Sequence, residues 1–237
     1  MKENLDTIMF FAAGLGTRLS AITQHTPKPL VEIKGKPILY YGLEKAVKHG
    51  FKHIIINSHY MPDKISAAVK GFQDITPNCP KITLLYEEQI LETGGGLKNA
   101  LPYINRDFIF TQNSDVIVES DDDFFELMIK KIDKNNMDFL ILIHKTEDAV
   151  GYTGIGDFEM AKTGQLHLRP EGYSKYNFMN AGVQLIRTSI IEQNPKEIFS
   201  LSEYYKNHAY KIYGIENHGN WYHLSTVEDL ESINRKL

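Results

Sequence analysis

The sequence predicts an α/β fold: a Rossmann-like, mostly parallel sheet flanked by helices, with a small antiparallel substrate-side extension. Two observations predict it. Over the first two thirds of the 237 residues, continuous apolar runs alternate with segments of helical spacing, as in sheets covered by helices on both faces. From about Gly151 the apolar runs become shorter and turn residues separate them, which is typical of antiparallel pairs.

The first expected strand covers residues 7–13, a continuous apolar run that ends at Gly14. The first long helix is expected over 37–49, because apolar residues recur at helical spacing and Gly50 follows as a C-cap. The other expected strands are 51–57, 81–86, 107–111, 137–144, 152–159, 165–168, 178–186 and 210–216, and the other expected helices are 62–71, 95–101, 124–133, 200–207 and 227–236.

No break in composition suggests a linker, so residues 1–237 are expected to form a single domain. Ligands of open α/β sheets bind beyond the carboxyl ends of the strands. Functional residues are therefore expected in the loops after Ala13, Tyr86 and Thr111.

Charge and cysteine content narrow the class of protein. The 26 Lys and Arg residues against 30 Asp and Glu give a net charge of −4, which argues against nucleic-acid binding but leaves a small phosphorylated ligand open. One cysteine, Cys79, excludes an internal disulfide framework and favours a reducing compartment. The charged start of the chain is not a signal peptide and no apolar stretch has the length of a membrane span, so a cytoplasmic protein without membrane insertion is expected.

The loop after the first strand reads Gly14-Leu15-Gly16-Thr17-Arg18-Leu19. Glycines here allow close approach to a ligand, backbone N–H groups can bind an anion, and Arg18 adds a positive fork for phosphate. The loop lacks the lysine of a P-loop, and Leu19 replaces the third glycine of the dinucleotide fingerprint. A plain tight turn is the alternative interpretation.

Lys28 lies between Pro27 and Pro29, which restrict the backbone on either side of it. This arrangement suggests a cation held in position. A solvated loop lysine is the alternative.

Together these segments carry a resemblance. The pattern A-A-G-x-G-T-R-L, followed after some ten residues by P-K-P-L, resembles the signature of the nucleoside-diphosphate-sugar pyrophosphorylases, or sugar-1-phosphate nucleotidyltransferases. The segment L-E-T-G-G-G at 91–96 looks like the second glycine loop of the small N-acetylmuramate-1-phosphate uridylyltransferases in that family. The triplet at 113–115 stands where the family has N-[GS]-D.

The resemblance implies that the chain transfers a nucleoside monophosphate from an NTP, with UTP favoured by analogy, to a sugar 1-phosphate. About 1–145 would then be the nucleotide-binding part and about 146–237 the sugar-binding part. Arg18 and Lys28 would be catalytic cations, and Asp115 would hold Mg²⁺. The implied nucleotide-binding residues are Ala12, Ala13, Gly14, Leu15, Gly16, Thr17, Thr93, Gly94 and Asn113.

The chain departs from the family at its second metal ligand. Where the family has W-x-D-[VI]-G-T, this sequence has Trp221-Tyr222-His223-Leu224-Ser225-Thr226. Imidazole suits Mg²⁺ less well than carboxylate does. Three interpretations remain: His223 binds a softer ion such as Mn²⁺, Asp115 suffices with phosphates, or the protein is a weak or inactive catalyst. A purely structural histidine is a further alternative.

The sugar-binding residues implied by the resemblance are Gly156, Glu171, Lys175 and Asn180, with a turn or bulge asparagine as the alternative for Asn180. Two other functions stay open: cytidylyl transfer to phosphocholine or a similar phosphorylated alcohol, and a non-catalytic nucleotide-sugar sensor. A dinucleotide-dependent oxidoreductase is disfavoured by Leu19 and Arg18. The base, the sugar and the oligomeric state are left open.

Overall fold

The computed structural model describes residues 5–168, 175–207 and 209–237. The strands of this part are β1 Thr7–Phe11, β2 Glu32–Ile33, β3 Lys36–Pro37, β4 His53–Ser58, β5 Lys81–Tyr86, β6 Phe108–Asn113, β7 Val116–Val118, β8 Phe139–Lys145, β9 Glu159–Met160, β10 Leu166–His167, β11 Phe178–Arg187, β12 Ile212–Glu216 and β13 Trp221–His223. The α-helices are α1 Ser20–Thr23, α2 Ile38–His49, α3 Pro62–Ile75, α4 Glu92–Ala100, α5 Phe124–Lys131, α6 Thr188–Glu192, α7 Ser202–Tyr205 and α8 Val227–Lys236.

Seven strands form the central sheet, in the order β12-β8-β11-β6-β1-β4-β5. All pairs are parallel except those of β11, which runs antiparallel to both β6 and β8. The expected mostly parallel α/β sheet is thus confirmed. The carboxyl ends of β1, β4, β5 and β6 lie at one edge of this sheet.

The structure corrects the placement of two strands. We expected 178–186 and 210–216 in the antiparallel extension, but β11 and β12 belong to the central sheet. The reason is burial on both faces: Leu185 of β11 packs into the core on one side of the sheet and Ile186 into the core on the other. The small antiparallel pairs are β2–β3, β7–β13 and β9–β10.

The two faces of the sheet are covered by different helices. Phe10, Leu43, Phe72 and Phe125 are buried between the sheet and α2, α3 and α5. Met9, Leu97, Phe199 and Tyr204 are buried on the opposite face, against α4 and α7. A smaller cluster joins α8 to the glycine loop through Leu19 and Ile233.

Some helix ends follow from local chemistry. Gly50 adopts φ 95° and donates its N–H to Ala46 and Val47, so the expected C-cap of α2 is confirmed. Asp123 caps α5 by accepting from the N–H groups of Phe125 and Glu126. In contrast, α4 begins at Glu92, three residues before the expected start, and includes the glycine run. No helix in the described ranges is long and apolar enough to cross a membrane.

Candidate active site

A cavity of about 370 Å³ lies at the carboxyl edge of the sheet. Its lining comes from the ends of β1, β4, β5 and β6 and from the loops that follow them. The lining residues are Phe11, Ala13, Gly14, Leu15, Gly16, Thr17, Lys28, Pro29, Asn57, Glu87, Ile90, Glu92, Thr93, Asn113, Ser114 and Asp115. Among the described residues, this wall is therefore built by one stretch of chain, 11–115.

The two glycines of the first loop have different reasons to be glycine. A Cβ atom at Gly14 would meet no protein atom within 4 Å, so the protein's own packing does not require glycine there. The space next to Gly14 remains open on the cavity side. Gly16 has φ 65°, and a Cβ would lie 3.0 Å from Cβ of Lys28 and 3.1 Å from Cγ2 of Thr23. Gly16 thus permits the stem of Lys28 to pack under the loop.

Other residues of this loop are placed differently. Ala13, Leu15 and Thr17 line the cavity. Ala12 is buried behind the cavity wall, and its N–H donates to Oδ1 of Asn57 at 2.8 Å. Arg18 is exposed, directly after Thr17, and does not line the cavity in this structure. Its contact with a phosphate stays a prediction.

Lys28 begins a 3₁₀ turn immediately after Pro27, and its side chain is 11% exposed. Its Nζ donates a hydrogen bond to Oδ2 of Asp115. The turn that carries Asp115 is tied to the end of β1, because the Ser114 hydroxyl and N–H both donate to the carbonyl of Phe11, at 2.6 and 3.3 Å. The structure thereby brings together the lysine and the aspartate that the sequence predicted as site residues.

His223 completes this cluster. Pairing of β13 with β7 sets His223 opposite Val116, next to Asp115 in the chain. Its Nε2 lies 3.4 Å from Oδ2 of Asp115, and its Nδ1 lies 3.3 Å from the carbonyl oxygen of Gly151. A carbonyl can only accept, so Nδ1 carries the hydrogen in this contact and Nε2 is directed at the carboxylate.

The charge state of Asp115 follows from these neighbours. Burial raises the pKa of the Asp115 carboxyl, but hydrogen bonding and charge from His223 and Lys28 outweigh it and hold the pKa well below its usual range. Asp115 is therefore an anion near neutral pH, as a metal ligand must be.

The protein side chains fit a divalent cation that takes some of its ligands from a bound substrate. The described residues contain no group of three or more His, Cys, Asp or Glu side chains placed to hold a metal ion. Asp115 and His223 offer one carboxylate and one imidazole, so phosphate oxygens and water would have to supply the remaining ligands.

The second glycine loop forms part of a helix. Thr93 lines the cavity, while its hydroxyl accepts the N–H of Leu201 at 3.0 Å. A Cβ at Gly94 would lie 2.2 Å from the Phe199 ring, and one at Gly95 would lie 2.2 Å from the carbonyl of Glu197. The glycines therefore let α4 pack closely against the segment 197–201. Direct contact of Gly94 with a nucleotide stays a prediction.

Asn57, Glu87 and Glu92 line the cavity but are not among the predicted site residues. Asn57 Nδ2 donates to Oε1 of Glu87 at 2.7 Å, and the Leu91 N–H donates to Oε2 of Glu87 at 3.3 Å. Glu87 is only 2% exposed, and this burial raises the pKa of its carboxyl. Glu92 adopts φ 62°, which is unusual for a residue with a side chain. Glu87 and Glu92 follow β5, where functional residues were expected after Tyr86, whereas Asn57 lies within β4, where none was expected.

The residues expected on the sugar side lie outside this cavity. Gly156 is buried with φ 85°, and a Cβ there would lie 2.6 Å from the Thr146 hydroxyl. Lys175 is exposed, and Glu171 lies outside the described residues. Contact of these residues with a sugar stays a prediction.

Asn180 sits at a bulge of β11, where the register with β8 shifts between Asn180 and Val183. Its Oδ1 accepts the N–H of Gly182 at 2.8 Å, and its Nδ2 donates to the hydroxyl of Tyr205 at 3.3 Å. The bulge interpretation of Asn180 is therefore confirmed by this geometry. Its proposed bond to a sugar hydroxyl stays a prediction, and the side chain already has partners within the protein.

Asn113 lines the cavity at the end of β6. The bulge of β11 packs directly beside it, because a Cβ at Gly182 would lie 3.2 Å from Cβ of Asn113. Gly182 thus lies directly behind a residue of the cavity wall.

The protein thus has a mostly parallel α/β sheet with a glycine loop, a lysine and a carboxylate at its carboxyl edge. This combination is typical of proteins that bind a phosphorylated nucleotide together with a divalent cation. The family model for nucleotidyl transferases matches residues 8–237. The chain belongs to the nucleotidyl transferase family.

Three relatives illustrate the match. N-acetylmuramate alpha-1-phosphate uridylyltransferase of Caulobacter vibrioides is 29% identical over 220 residues, covering 91% of this chain and 90% of that protein. Mannose-1-phosphate guanylyltransferase catalytic subunit beta of Danio rerio is 29% identical over 93% of this chain, which spans 61% of that protein's length. The crystal structure of HddC from Yersinia pseudotuberculosis complexed with GMP-PN has a TM-score of 0.78 and 26% identity, covering 97% of this chain and 98% of that one.

Proposed function

We propose that the protein transfers a nucleoside monophosphate from an NTP to a sugar 1-phosphate, giving an NDP-sugar and pyrophosphate. The observation that carries the proposal is the convergence of Lys28 and His223 on Asp115 at the wall of the cavity, beside the Gly14–Gly16 loop. Relatives named for both uridylyl and guanylyl transfer to sugar 1-phosphates support this choice of reaction.

The chemistry needs positioning and charge stabilisation and no general base. An oxygen of the sugar phosphate is already an anion; it forms a bond to the α-phosphorus while the bond from that phosphorus to the bridging oxygen breaks. The electron pair leaves with pyrophosphate. Lys28 would stabilise the negative charge on the α-phosphoryl group, and Arg18 would bind the departing pyrophosphate. Lys28 is held for this role by Pro27, by Gly16 and by Asp115.

Asp115 and His223 would hold the divalent cation, which supplies positive charge for the phosphates when bound. Mg²⁺ is the ordinary partner of phosphates and carboxylates, while an imidazole ligand favours Mn²⁺. We propose that this protein accepts both ions and works better with Mn²⁺ than a site with two carboxylates would.

The NTP would occupy the cavity lined by residues 11–115, with the phosphates at the Gly14–Thr17 loop and the base toward Thr93, Gly94 and Asn113. UTP is the favoured donor, by analogy with the uridylyltransferase of Caulobacter vibrioides. The single cysteine agrees with a cytoplasmic location.

The test is direct. The purified chain is incubated with each NTP, with a panel of sugar 1-phosphates and phosphocholine, and with Mg²⁺ or Mn²⁺, and pyrophosphate release is measured. Release with a sugar 1-phosphate and loss of release in Asp115→Asn and Lys28→Met, with both variants still folded at the assay temperature, are expected. Release with CTP and phosphocholine alone would support the cytidylyltransferase alternative. Nucleotide binding without release under every combination would support the sensor.

A further inference from the structure

Asp157 is an acidic side chain that the roles assigned so far do not use. It follows Gly156, whose φ of 85° and close contact with Thr146 set the path of the chain. Its carboxylate Oδ2 accepts the N–H of Asn180 at 2.8 Å, and its own N–H donates to the carbonyl of Phe178. These bonds fasten Asp157 to the start of β11.

The surroundings of Asp157 do not neutralise its charge. The side chain is half-buried, and burial raises the pKa of its carboxyl, opposed only by the hydrogen bond from Asn180. No lysine, arginine or histidine of the described residues forms an ion pair with it. Tyr152 and Tyr205, which the carboxylate influences electrostatically, direct their hydroxyl groups to other partners. A partly buried carboxylate with one N–H partner retains free acceptor capacity.

Asp157 is linked to the proposed donor site through the bulge of β11. Its partner Asn180 begins the bulge of β11, and Gly182 of the same bulge packs against Asn113, which lines the cavity. In the sheet order, β11 is the neighbour of β6 on the side away from β1. An acceptor substrate approaching Lys28 and Asp115 from that side would pass over the bulge and reach Asp157.

We propose that Asp157 binds the acceptor substrate, with its carboxylate accepting a hydrogen bond from a hydroxyl group of the sugar ring. This inference rests on the proposed function and deepens it, since it assigns acceptor selection to a residue other than Asn180. The ligand class is a neutral, polyhydroxylated 1-phosphate. A sugar that places an anionic substituent against Asp157 would be rejected by charge repulsion.

The test uses the full chain and separate Michaelis constants for the two substrates. Asp157→Asn keeps an oxygen for the Asn180 N–H but removes the charge. Its KM for the best sugar 1-phosphate in the panel is expected to rise by about tenfold or more, as for loss of a hydrogen bond to a charged group. Its KM for the NTP and its thermal unfolding are expected to stay as in the unaltered protein. Glu147→Gln, an exposed carboxylate on the preceding loop, is the matched control and should change neither constant.

A second measurement leaves the protein unaltered. Single-deoxy analogues of the same sugar 1-phosphate are compared, and one of them is expected to lose about tenfold or more in kcat/KM. That loss should disappear in Asp157→Asn. An unchanged acceptor KM in Asp157→Asn, or equal activity of all deoxy analogues, would overturn the assignment of Asp157 while leaving the proposed function intact. Absence of turnover by the unaltered protein with every sugar 1-phosphate would overturn both.

Discussion

His223 Nε2 lies 3.4 Å from Oδ2 of Asp115, the same carboxylate oxygen that accepts a hydrogen bond from Lys28. An imidazole nitrogen and a carboxylate oxygen with metal bonds of about 2.1 Å each are about 3.0–3.4 Å apart when they share one ion. The observed separation therefore suits two ligands of a common cation. His223 would then take the place at which the resemblance implies a second carboxylate.

His223→Asp is accordingly expected to change metal preference. A second carboxylate favours Mg²⁺, so the ratio of activity with Mg²⁺ to activity with Mn²⁺ should rise by about tenfold. Titration of Mn²⁺ by electron paramagnetic resonance, in the presence of NTP, gives a readout apart from turnover: Mg²⁺ should displace Mn²⁺ from His223→Asp at a lower ratio of Mg²⁺ to Mn²⁺ than from the unaltered protein. An unchanged activity ratio together with an unchanged displacement ratio would assign His223 to structure alone.

Substitution by alanine is expected to weaken nucleotide binding at Gly14 and to reduce the stability of the fold at Gly16. Gly14→Ala should leave thermal unfolding nearly unchanged, because no protein atom lies near the added methyl group, but should raise the KM for NTP by about tenfold. Gly16→Ala should lower the free energy of unfolding by about 1–2 kcal/mol, since it combines φ 65° with contacts to Lys28 and Thr23. If Gly14→Ala left the KM for NTP unaltered, the glycine loop would not approach the nucleotide.

Glu87 should make stability depend on pH. Because burial raises the pKa of Glu87, the folded protein binds this proton more tightly than the unfolded chain does. As pH rises from the unfolded value of about 4.3 through the folded pKa, this carboxyl progressively destabilises the folded state. The free energy of unfolding of the unaltered protein minus that of Glu87→Gln should therefore decrease between about pH 4 and about pH 7.

Urea unfolding at the two pH values measures this difference. Glu88→Gln removes an exposed carboxylate next in the chain and controls for the loss of one negative charge. A difference that stayed constant or grew with pH would show that Glu87 is not held in a raised-pKa environment.

The glycine run of α4 is expected to be required for packing. Gly95→Ala would place a methyl group 2.2 Å from the carbonyl of Glu197, so we expect a loss of about 1–3 kcal/mol in the free energy of unfolding. Gly71→Ala in α3 is the matched control: its added methyl group lies 3.6 Å from the Tyr40 hydroxyl, an ordinary contact, and alanine favours a helix interior. Equal unfolding temperatures for the two variants would contradict the packing role of Gly95.

Elements with local signals could be predicted from the sequence. The strand 81–86 and the helix 227–236 have the bounds that their apolar spacing and caps indicate. The early start of α4 could not be predicted, because its glycines are weak helix formers and their close packing against the segment 197–201 is a long-range contact. Likewise, nothing local in residues 178–186 shows that β11 runs between β6 and β8.

The site shows the same division. Lys28 and Asp115 could be identified from motifs. The expectation that ligands bind beyond the carboxyl ends of the strands pointed to the loops that line the cavity. The contact of His223 with Asp115 depends on the pairing of β13 with β7, and the burial of Glu87 depends on Asn57 and Leu91. These contacts join residues far apart in the chain, so they could be found only in the folded structure.

Residues 11–115 form the cavity wall, and Asp157 and Asn180 lie in a later stretch of the chain. This order bears on how such an enzyme could acquire new substrate combinations. Under the proposed function, donor choice and acceptor choice would be encoded in two successive lengths of the chain. Recombination between relatives at a single crossover after the first length would pair one nucleotide preference with a new sugar preference. Lys28 and Asp115 would stay together in the hybrid because both lie on the first length, whereas His223, which lies 3.4 Å from Asp115, would come with the second length.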